Sequence, residues 1–510
     1  MSGTTTTFYG AVINPKSLTS YAALPRCLLA VGPTGNIDWI VKDVAPHELQ
    51  DALAQKGHVD IASANLVELK EGEFLMPGFV DTHTHAPQVP NIGTGQEYEL
   101  LDWLKNVTFP MESKFADIEF AKRIYTKVVR DFIDNGTTTC CYYATLHLES
   151  TKVLADIVHA AGQRGFIGKC NMNHDSPSYY IEPSPEASIE ATKSLITYVR
   201  SLPPSSHPHA SSGTAQPLVQ PILTPRFAIS CTAPLLSSLG TLASSDPSLL
   251  IQTHISENLG EIAYTKELFP QAKNYAGVYD MYGLLREGTI LAHAVHLEEE
   301  EVELVKVRGA GVSHCPTSNF NIRSGVAPIG KYLDRGIKVG LGTDVSGGYS
   351  NSILTEIRHA SMASKVLQFS SSPKPESSGS SSTTNGTTPK FENKQLPIPT
   401  LLYLATLGGA SLCKLDSHIG SFEPGKAFDA LLVSPSSRSI GLWGLNENVD
   451  SGAVEAEEDE NVKARKRLEE RLERFLFCGD DRNIERVYVQ GVLVGGVGSG
   501  KRARSSELPN

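Results

Sequence analysis

At 510 residues the chain is longer than one hydrophobic core ordinarily serves, so one large domain with a satellite is expected. The formal net charge of −11 excludes a nucleic-acid groove, because phosphate backbones demand a basic surface. A hydrophobic fraction of 40% without any run of about 18 apolar residues excludes a transmembrane helix and predicts a globular protein away from the membrane.

Residues 7–75 read as short β segments: Phe8–Ile13, Cys27–Val31, Ile37–Val41 and Leu66–Leu69, with Pro25, Gly32-Pro33 and Glu71-Gly72 as breakers. From Glu73 short apolar runs alternate with helical stretches, the pattern of a parallel sheet with crossover helices. The expected strands are Leu75–Thr82, Thr137–Tyr143, Phe166–Asn171, Ile222–Ile229, Leu249–His254, Thr289–His293, Val312–Cys315 and Val339–Gly342. Eight of them predict an α/β fold, a (β/α)8 barrel with its active site at the strands' C-terminal ends. Asp117–Asn135, Leu148–Arg164 and Glu186–Leu202 carry helical periodicity. Two stretches rich in Ser, Pro, Thr and Gly, 201–216 and 370–393, read as mobile insertions.

After about Leu415, strands are expected at Ala430–Val433 and Val487–Val494, completing with residues 1–75 a small β-sandwich built from both chain ends. The expected division is therefore 1–75, a barrel over 76–415, and 416–510. Within the last part, 455–477 is dense in charge and reads as a solvated helix with i,i+4 ion pairs. The MSGTTTTFYG start lacks the layout of a secretory leader, and the SSELPN end carries no retention or peroxisomal signal. The cysteines, Cys27, Cys140, Cys141, Cys170, Cys231, Cys315, Cys413 and Cys478, form no CxxC pair and read as reduced thiols in a cytoplasmic protein. Without a PCxxC motif, the zinc deaminase type that uses cysteine ligands is excluded, so any metal is held by nitrogen and oxygen.

The metal candidates close four of the expected strands. His83 and His85 end the first, two residues apart and so on one strand face. His254 ends the fifth in LLIQTHISE, His293 the sixth in TILAHAVHL, and Asp344 the eighth in VGLGTDVSGG. Nitrogen and oxygen donors converging on one barrel mouth suit zinc. Zinc lowers the pKa of bound water from about 15.7 towards roughly 7 and so creates hydroxide at neutral pH. Glu257, three residues past His254, is placed to carry a proton to a ring nitrogen, and is also expected in a first helical turn capped by Ser256. His207 and His209 form another HxH, but no strand is expected beneath them and no metal is assigned there.

The segments PGFVDTHTH, THISE, LAHAVHL, SHCPTSN and GLGTDVSGG, in this order over about residues 76–350, resemble the amidohydrolase superfamily. HAPQ at His85–Gln88, LLDWLKNVTFPMES at Leu100–Ser113 and TPRFAISC at Thr224–Cys231 are similar to the guanine-binding parts of the guanine deaminase family within it. That resemblance implies one zinc ion per subunit on His83, His85, His254 and Asp344, with His293 beside the metal-bound water as proton carrier. It implies a purine contacted by His85, Ala86, Pro87, Gln88, Arg226, Phe227, His254, Glu257 and Asp344, with Glu257, His293 and Asp344 as the catalytic set. The implied reaction is hydrolytic deamination of guanine to xanthine and ammonia in purine catabolism, and the implied assembly is a homodimer. The chemistry agrees: the Arg226 fork suits a purine carbonyl, Phe227 can cover a ring, and the Gln88 amide can both donate and accept.

The chain departs from the family pattern at Val107, where an aromatic is usual, and at Tyr98-Glu99, where an apolar-proline pair is common. His174 and His296 match no family role and are assigned to structure. The alternatives are another mononuclear amidohydrolase acting on 8-oxoguanine, a pterin, cytosine or a triazine, or an inactive scaffold homologue. The intact set of His83, His85, His254, His293, Asp344 and Glu257 speaks against the scaffold. A binuclear enzyme is disfavoured, because Ile222–Cys231 holds no lysine to bridge two metals and Lys169 is on the third strand.

Overall fold

Two sheets share the chain. In the computed structural model, which describes residues 5–58, 64–203, 217–370, 390–435 and 459–500, the N-terminal segment forms β1 (Thr6–Ser17), β2 (Ser20–Val31), β3 (Ile37–Lys42), β4 (Leu66–Glu68) and β5 (Phe74–Pro77). The barrel strands follow as β6 (Phe79–His85), β7 (Thr137–Tyr143), β8 (Arg164–Gly168) with its short continuation β9 (Cys170–Asn171), and β10 (Val219–Pro225). Next come β11 (Leu250–Ile255), β12 (Thr289–His293), β13 (Gly311–His314) and β14 (Lys338–Leu341). The chain then returns as β15 (Ala430–Val433), β16 (Ile484–Val489) and β17 (Val492–Gly495).

β6 to β14 lie side by side in sequence order and pair in parallel, as right-handed βαβ crossovers require. The ring is closed by backbone: the Asp344 N–H donates to His83 O (2.8 Å) and the His85 N–H to Val345 O (3.2 Å). These are the two ends that carry the expected ligands. The second sheet runs β17-β16-β15-β5-β1-β2-β3, with β4 beside β1, and so draws its strands from both chain ends as expected.

Several boundaries differ from expectation for identifiable reasons. Leu75–Thr82, expected as one strand, divides at Gly78: β5 pairs with β1 and β15, while β6 pairs with β7. A Cβ at Gly78 would lie 2.2 Å from the Thr138 side chain, so only glycine lets the chain pass between the sheets there. Pro25 does not break β2, because the register with β1 slips between Gly10 and Val12 and the proline falls in that bulge. Ile222–Ile229 ends as a strand at Pro225, and Val487–Val494 is a hairpin turning at Gln490-Gly491, both with positive φ (49° and 75°). The helices Ile118–Asp134, Leu148–Ala161 and Pro185–Arg200 follow the periodicity, the first capped by Asp117 on the Glu119 and Phe120 N–H groups.

The charged helix spans Glu460–Cys478 and is more than a solvated face: Leu468, Leu472, Phe475 and Leu476 are buried. The Phe475 ring packs against Phe74 and Phe79 (centroids 6.1 and 6.4 Å), one residue from each sheet, so the helix seals the seam. Residues 204–216, with His207 and His209, 371–389 and 455–458 lie outside the described residues.

A buried ion pair also joins the two sheets. Arg164 on β8 donates to Asp429 (2.6 and 3.2 Å) and to Gln490 (2.6 Å), while the Gln490 N–H donates to Asp429 (2.8 Å). Replacing Asp429 by Ala strands a buried guanidinium, an effect worth about 3–5 kcal/mol. Urea unfolding monitored by circular dichroism should show a loss of that size. A shift below about 1 kcal/mol would mean that the pair is dispensable to the seam.

Candidate active site

The metal candidates meet at the C-terminal mouth of the barrel. His83 and His85 project together from β6, as the two-residue period dictates, and both are buried. Asp344 follows β14, His254 lies on β11 and His293 ends β12. Ser256, His293, Ala294 and Asp344 adopt left-handed φ values (47°, 71°, 48° and 42°), a strained conformation for residues with a Cβ. Strain of this kind concentrates where surrounding structure forces side chains into one geometry.

Around Asp344 Oδ1, His83 Nε2 stands at 3.1 Å and His85 Nε2 at 3.3 Å, and His85 Nε2 is 3.2 Å from His254 Nε2. Ligands at about 2.0–2.1 Å from a tetrahedral zinc are separated by about 3.3 Å, so these edges fit one ion. Compactness alone also groups His83, His254, His293 and Asp344, whose donor atoms all lie within 4.8 Å of one another. That group holds His293 and not His85, although His85 Nε2 lies nearer Asp344 Oδ1 (3.3 Å), while His293 Nε2 faces Glu257 Oε2 (3.4 Å) and the other Asp344 oxygen (3.7 Å). A His/His/His/Asp group able to hold a metal ion is thus present.

Electrostatics favour the ligand forms. Burial lowers His83, lowers His85 to about 4 and, helped by the neighbouring rings, lowers His254 well below its ordinary value, so these imidazoles are neutral. His254 Nδ1 is 2.5 Å from Arg226 O, which accepts its proton and leaves Nε2 free for the metal. Burial would raise the Asp344 carboxyl, but the bonds from His83 and His85 outweigh it and hold the group ionised. Glu257 behaves oppositely. Burial, then the charges of Asp344 and Glu261, raise its carboxyl well above the usual range, against a hydrogen bond from the Ser324 hydroxyl (3.0 Å). Glu257 precedes the helix Leu259–Leu268, which is capped by Asn258 and not by Ser256. Glu257 therefore lines the pocket from the loop before that helix.

A pocket opens over this cluster at the barrel mouth. Its walls include His85, Gln88, Arg226, Phe227, His254, Glu257, His293 and Asp344, so three of the four expected ligands share one space with the expected base-reading residues, while His83 lies behind it. Ala86 and Pro87 are buried in the turn that aims Gln88 and do not line it. His174 and His296 are held by backbone carbonyls, of Ile229 (3.0 Å) and Ser324 (2.7 Å), consistent with structure alone. Val107 packs beside Leu100, Trp103 and Leu104, whose side chains wall the pocket. Lys169 is buried against Glu182 at 2.5 Å and takes no part in the metal cluster.

Sequence reasoning missed three residues. Glu112 and Asn319 stood inside the quoted LLDWLKNVTFPMES and SHCPTSN segments without a role. Asn319 Oδ1 accepts from His293 Nδ1 (2.9 Å), which turns Nε2 towards the pocket. Glu112 is completely buried and takes both Arg226 Nη atoms (2.7 and 3.0 Å), Gln88 Nε2 (2.8 Å) and the Tyr180 hydroxyl (2.7 Å). Tyr180 had no sequence signal at all.

The amidohydrolase family pattern matches residues 74–494. A probable guanine deaminase of Schizosaccharomyces pombe is 45% identical over 91% of this chain and 78% of its own length. The mouse guanine deaminase is 41% identical over 84% of both chains. Among solved structures, the guanine deaminase from C. acetobutylicum with guanine bound in its active site superposes with a TM-score of 0.78, at 32% identity over 96% of this chain and 99% of its own. With identity and coverage of this order joined to a shared fold, the chain belongs to the amidohydrolase family, among its guanine deaminases.

Proposed function

We propose that this pocket binds guanine and that the protein is a guanine deaminase, hydrolysing guanine to xanthine and ammonia in purine catabolism. The observation that carries the reading is that Gln88, Arg226 and Phe227 wall the same pocket as Glu257 and the His/Asp cluster. A related protein of this fold with guanine in its active site supports it further.

His83, His85, His254 and Asp344 would hold one zinc ion, which supplies a nucleophilic hydroxide at neutral pH by lowering the pKa of water. The chain's own residues do the rest. Arg226 and Gln88 orient the base through its polar edge, and Phe227 covers its face. Glu257, whose carboxyl burial pushes well above the usual range, donates to the ring nitrogen beside the carbon that bears the amine, making that carbon electrophilic. Asp344 and His293 take the proton released by the attacking water and pass it on until ammonia departs. Leu100, Trp103, Leu104 and Ile322 exclude bulk water from these transfers.

In this reading the barrel, residues 76–415, carries the chemistry and the two chain ends form its flanking β unit. No helix among the described residues is long and apolar enough to cross a membrane. A cytoplasmic homodimer is proposed on the family resemblance and on eight free thiols, seven of them buried.

The test is an assay of guanine-to-xanthine conversion with and without a chelator. Turnover that a chelator abolishes and added zinc restores is expected. Turnover of a pterin or cytosine in place of guanine would overturn the assignment.

A further inference from the structure

We propose that Glu112 is a positioning residue that sets the specificity of the purine pocket: it converts Arg226 from a buried free cation into an oriented, charge-neutral donor face and fixes the direction of the Gln88 amide. The inference rests on the reading of this pocket as the guanine site. Glu112 closes the short helix Phe109–Glu112 and is fully buried, as are Tyr180, Gln88 and Arg226 to within 2% exposure. Its carboxylate does not line the pocket, and its four hydrogen bonds use the about four lone-pair sites a carboxylate offers. It therefore has nothing left with which to touch a ligand, and any influence on substrate passes through Arg226 and Gln88.

The consequences follow from donor and acceptor inventories. With two N–H groups spent on Glu112, Arg226 keeps the remaining donors of its fixed fork for the base. The guanidinium also lies over the Phe109 ring, 5.2 Å from the centroid, which leaves it no second rotamer without losing both contacts. Burial would raise the Glu112 carboxyl, but the Arg226 charge and hydrogen bonds outweigh it and hold the group below its ordinary value, so the pair is ionised and sums to zero charge.

Gln88 is clamped from both ends. Its Nε2 donates to Glu112 Oε1 (2.8 Å), and its Oε1 accepts from the Ser346 N–H (3.1 Å). A flipped amide would set oxygen against the carboxylate and N–H against N–H, so one orientation survives, leaving one donor and one acceptor for the base. A neutral purine with an adjacent carbonyl and N–H matches this face. A purine anion finds no net positive charge to meet it, so an anionic purine is discriminated against.

The test is a double-mutant cycle with Glu112→Gln, Arg226→Gln and the double variant, read as kcat/KM on guanine and as inhibition by urate, a purine anion. Zinc content and thermal midpoint report on folding. Glu112→Gln is expected to lower kcat/KM roughly 100-fold or more, chiefly through KM. It should also tighten urate inhibition, because it exposes the Arg226 charge. The double variant should fall well short of the product of the two single losses, because only the part that passes through Gln88 survives in Arg226→Gln. Independent, multiplicative losses, or weaker or unchanged urate inhibition in a folded Glu112→Gln protein, would overturn the proposal. Should Glu112→Gln not fold, the comparison of Arg226→Gln with the double variant decides: a further loss below about tenfold, the part carried by Gln88, supports the proposal, and a further loss of about 100-fold overturns it. A wild-type protein that does not turn over guanine overturns the function proposed above instead, and the same cycle is then read on urate binding by tryptophan fluorescence.

Discussion

Replacing Glu257 by Gln is expected to lower kcat on guanine by about 10²–10⁴ while leaving the bound metal in place. The amide keeps the volume of the buried side chain and its hydrogen bond from the Ser324 hydroxyl, so the pocket stays formed. What it loses is the transferable proton. Burial and the charges of Asp344 and Glu261 raise the Glu257 carboxyl well above the usual range, and its Oε2 is 3.4 Å from His293 Nε2, a geometry suited to handing over a proton and recovering it. Glutamine can donate a hydrogen bond to the ring nitrogen but cannot complete the transfer. Steady-state kinetics with metal analysis checks this: a kcat within threefold of wild type would remove Glu257 from the mechanism.

The second large effect is expected at Asp344. Asp344→Asn should cost more than the about 10–100-fold in metal affinity that indirect supports of a ligand contribute, because a ligand itself is removed. Activity should fall to background in protein purified without added metal. Asp344 is the common neighbour of the cluster: its Oδ1 meets His83 and His85, and its Oδ2 faces His293. In the proposed site the carboxylate would also supply the negative charge that favours a dication among three neutral imidazoles. Unlike Glu257→Gln, this variant should lose zinc and activity together, as metal analysis and the guanine assay would report. Near-stoichiometric zinc in Asp344→Asn would displace Asp344 from the ligand set and favour His293 in its stead.

Local pattern made much of this molecule legible. The alternation of short apolar runs with helical periods is repeated in every barrel strand, because each strand's burial is decided by its own residues. His83, His85, His254, His293 and Asp344 could be read together because a parallel barrel places every strand's C-terminal end at one mouth, so position within a strand already implies proximity. Junctions were less legible. Gly78 hands the chain from one sheet to the other inside what reads as a single strand, because the need for glycine comes from Thr138, a residue of the neighbouring strand. The helix Glu460–Cys478 looked solvated because its apolar stripe is thin beside its charge, and only the packing of Phe475 on Phe74 and Phe79 reveals its burial.

The barrel, and the candidate metal and base-reading residues placed on it, could thus be read from short contiguous segments, because strand position is a local property. Tertiary structure alone decided how those candidates are aimed. Glu112 meets Arg226 across 114 residues of chain, Gln88 finds its second clamp 258 residues away at Ser346, and Asn319 reaches back 26 residues to turn His293. Such pairings carry no periodic signature. They are set by which buried polar groups the fold brings within hydrogen-bond reach, and each must be satisfied because leaving it unpaired in the interior costs about 1–3 kcal/mol or more.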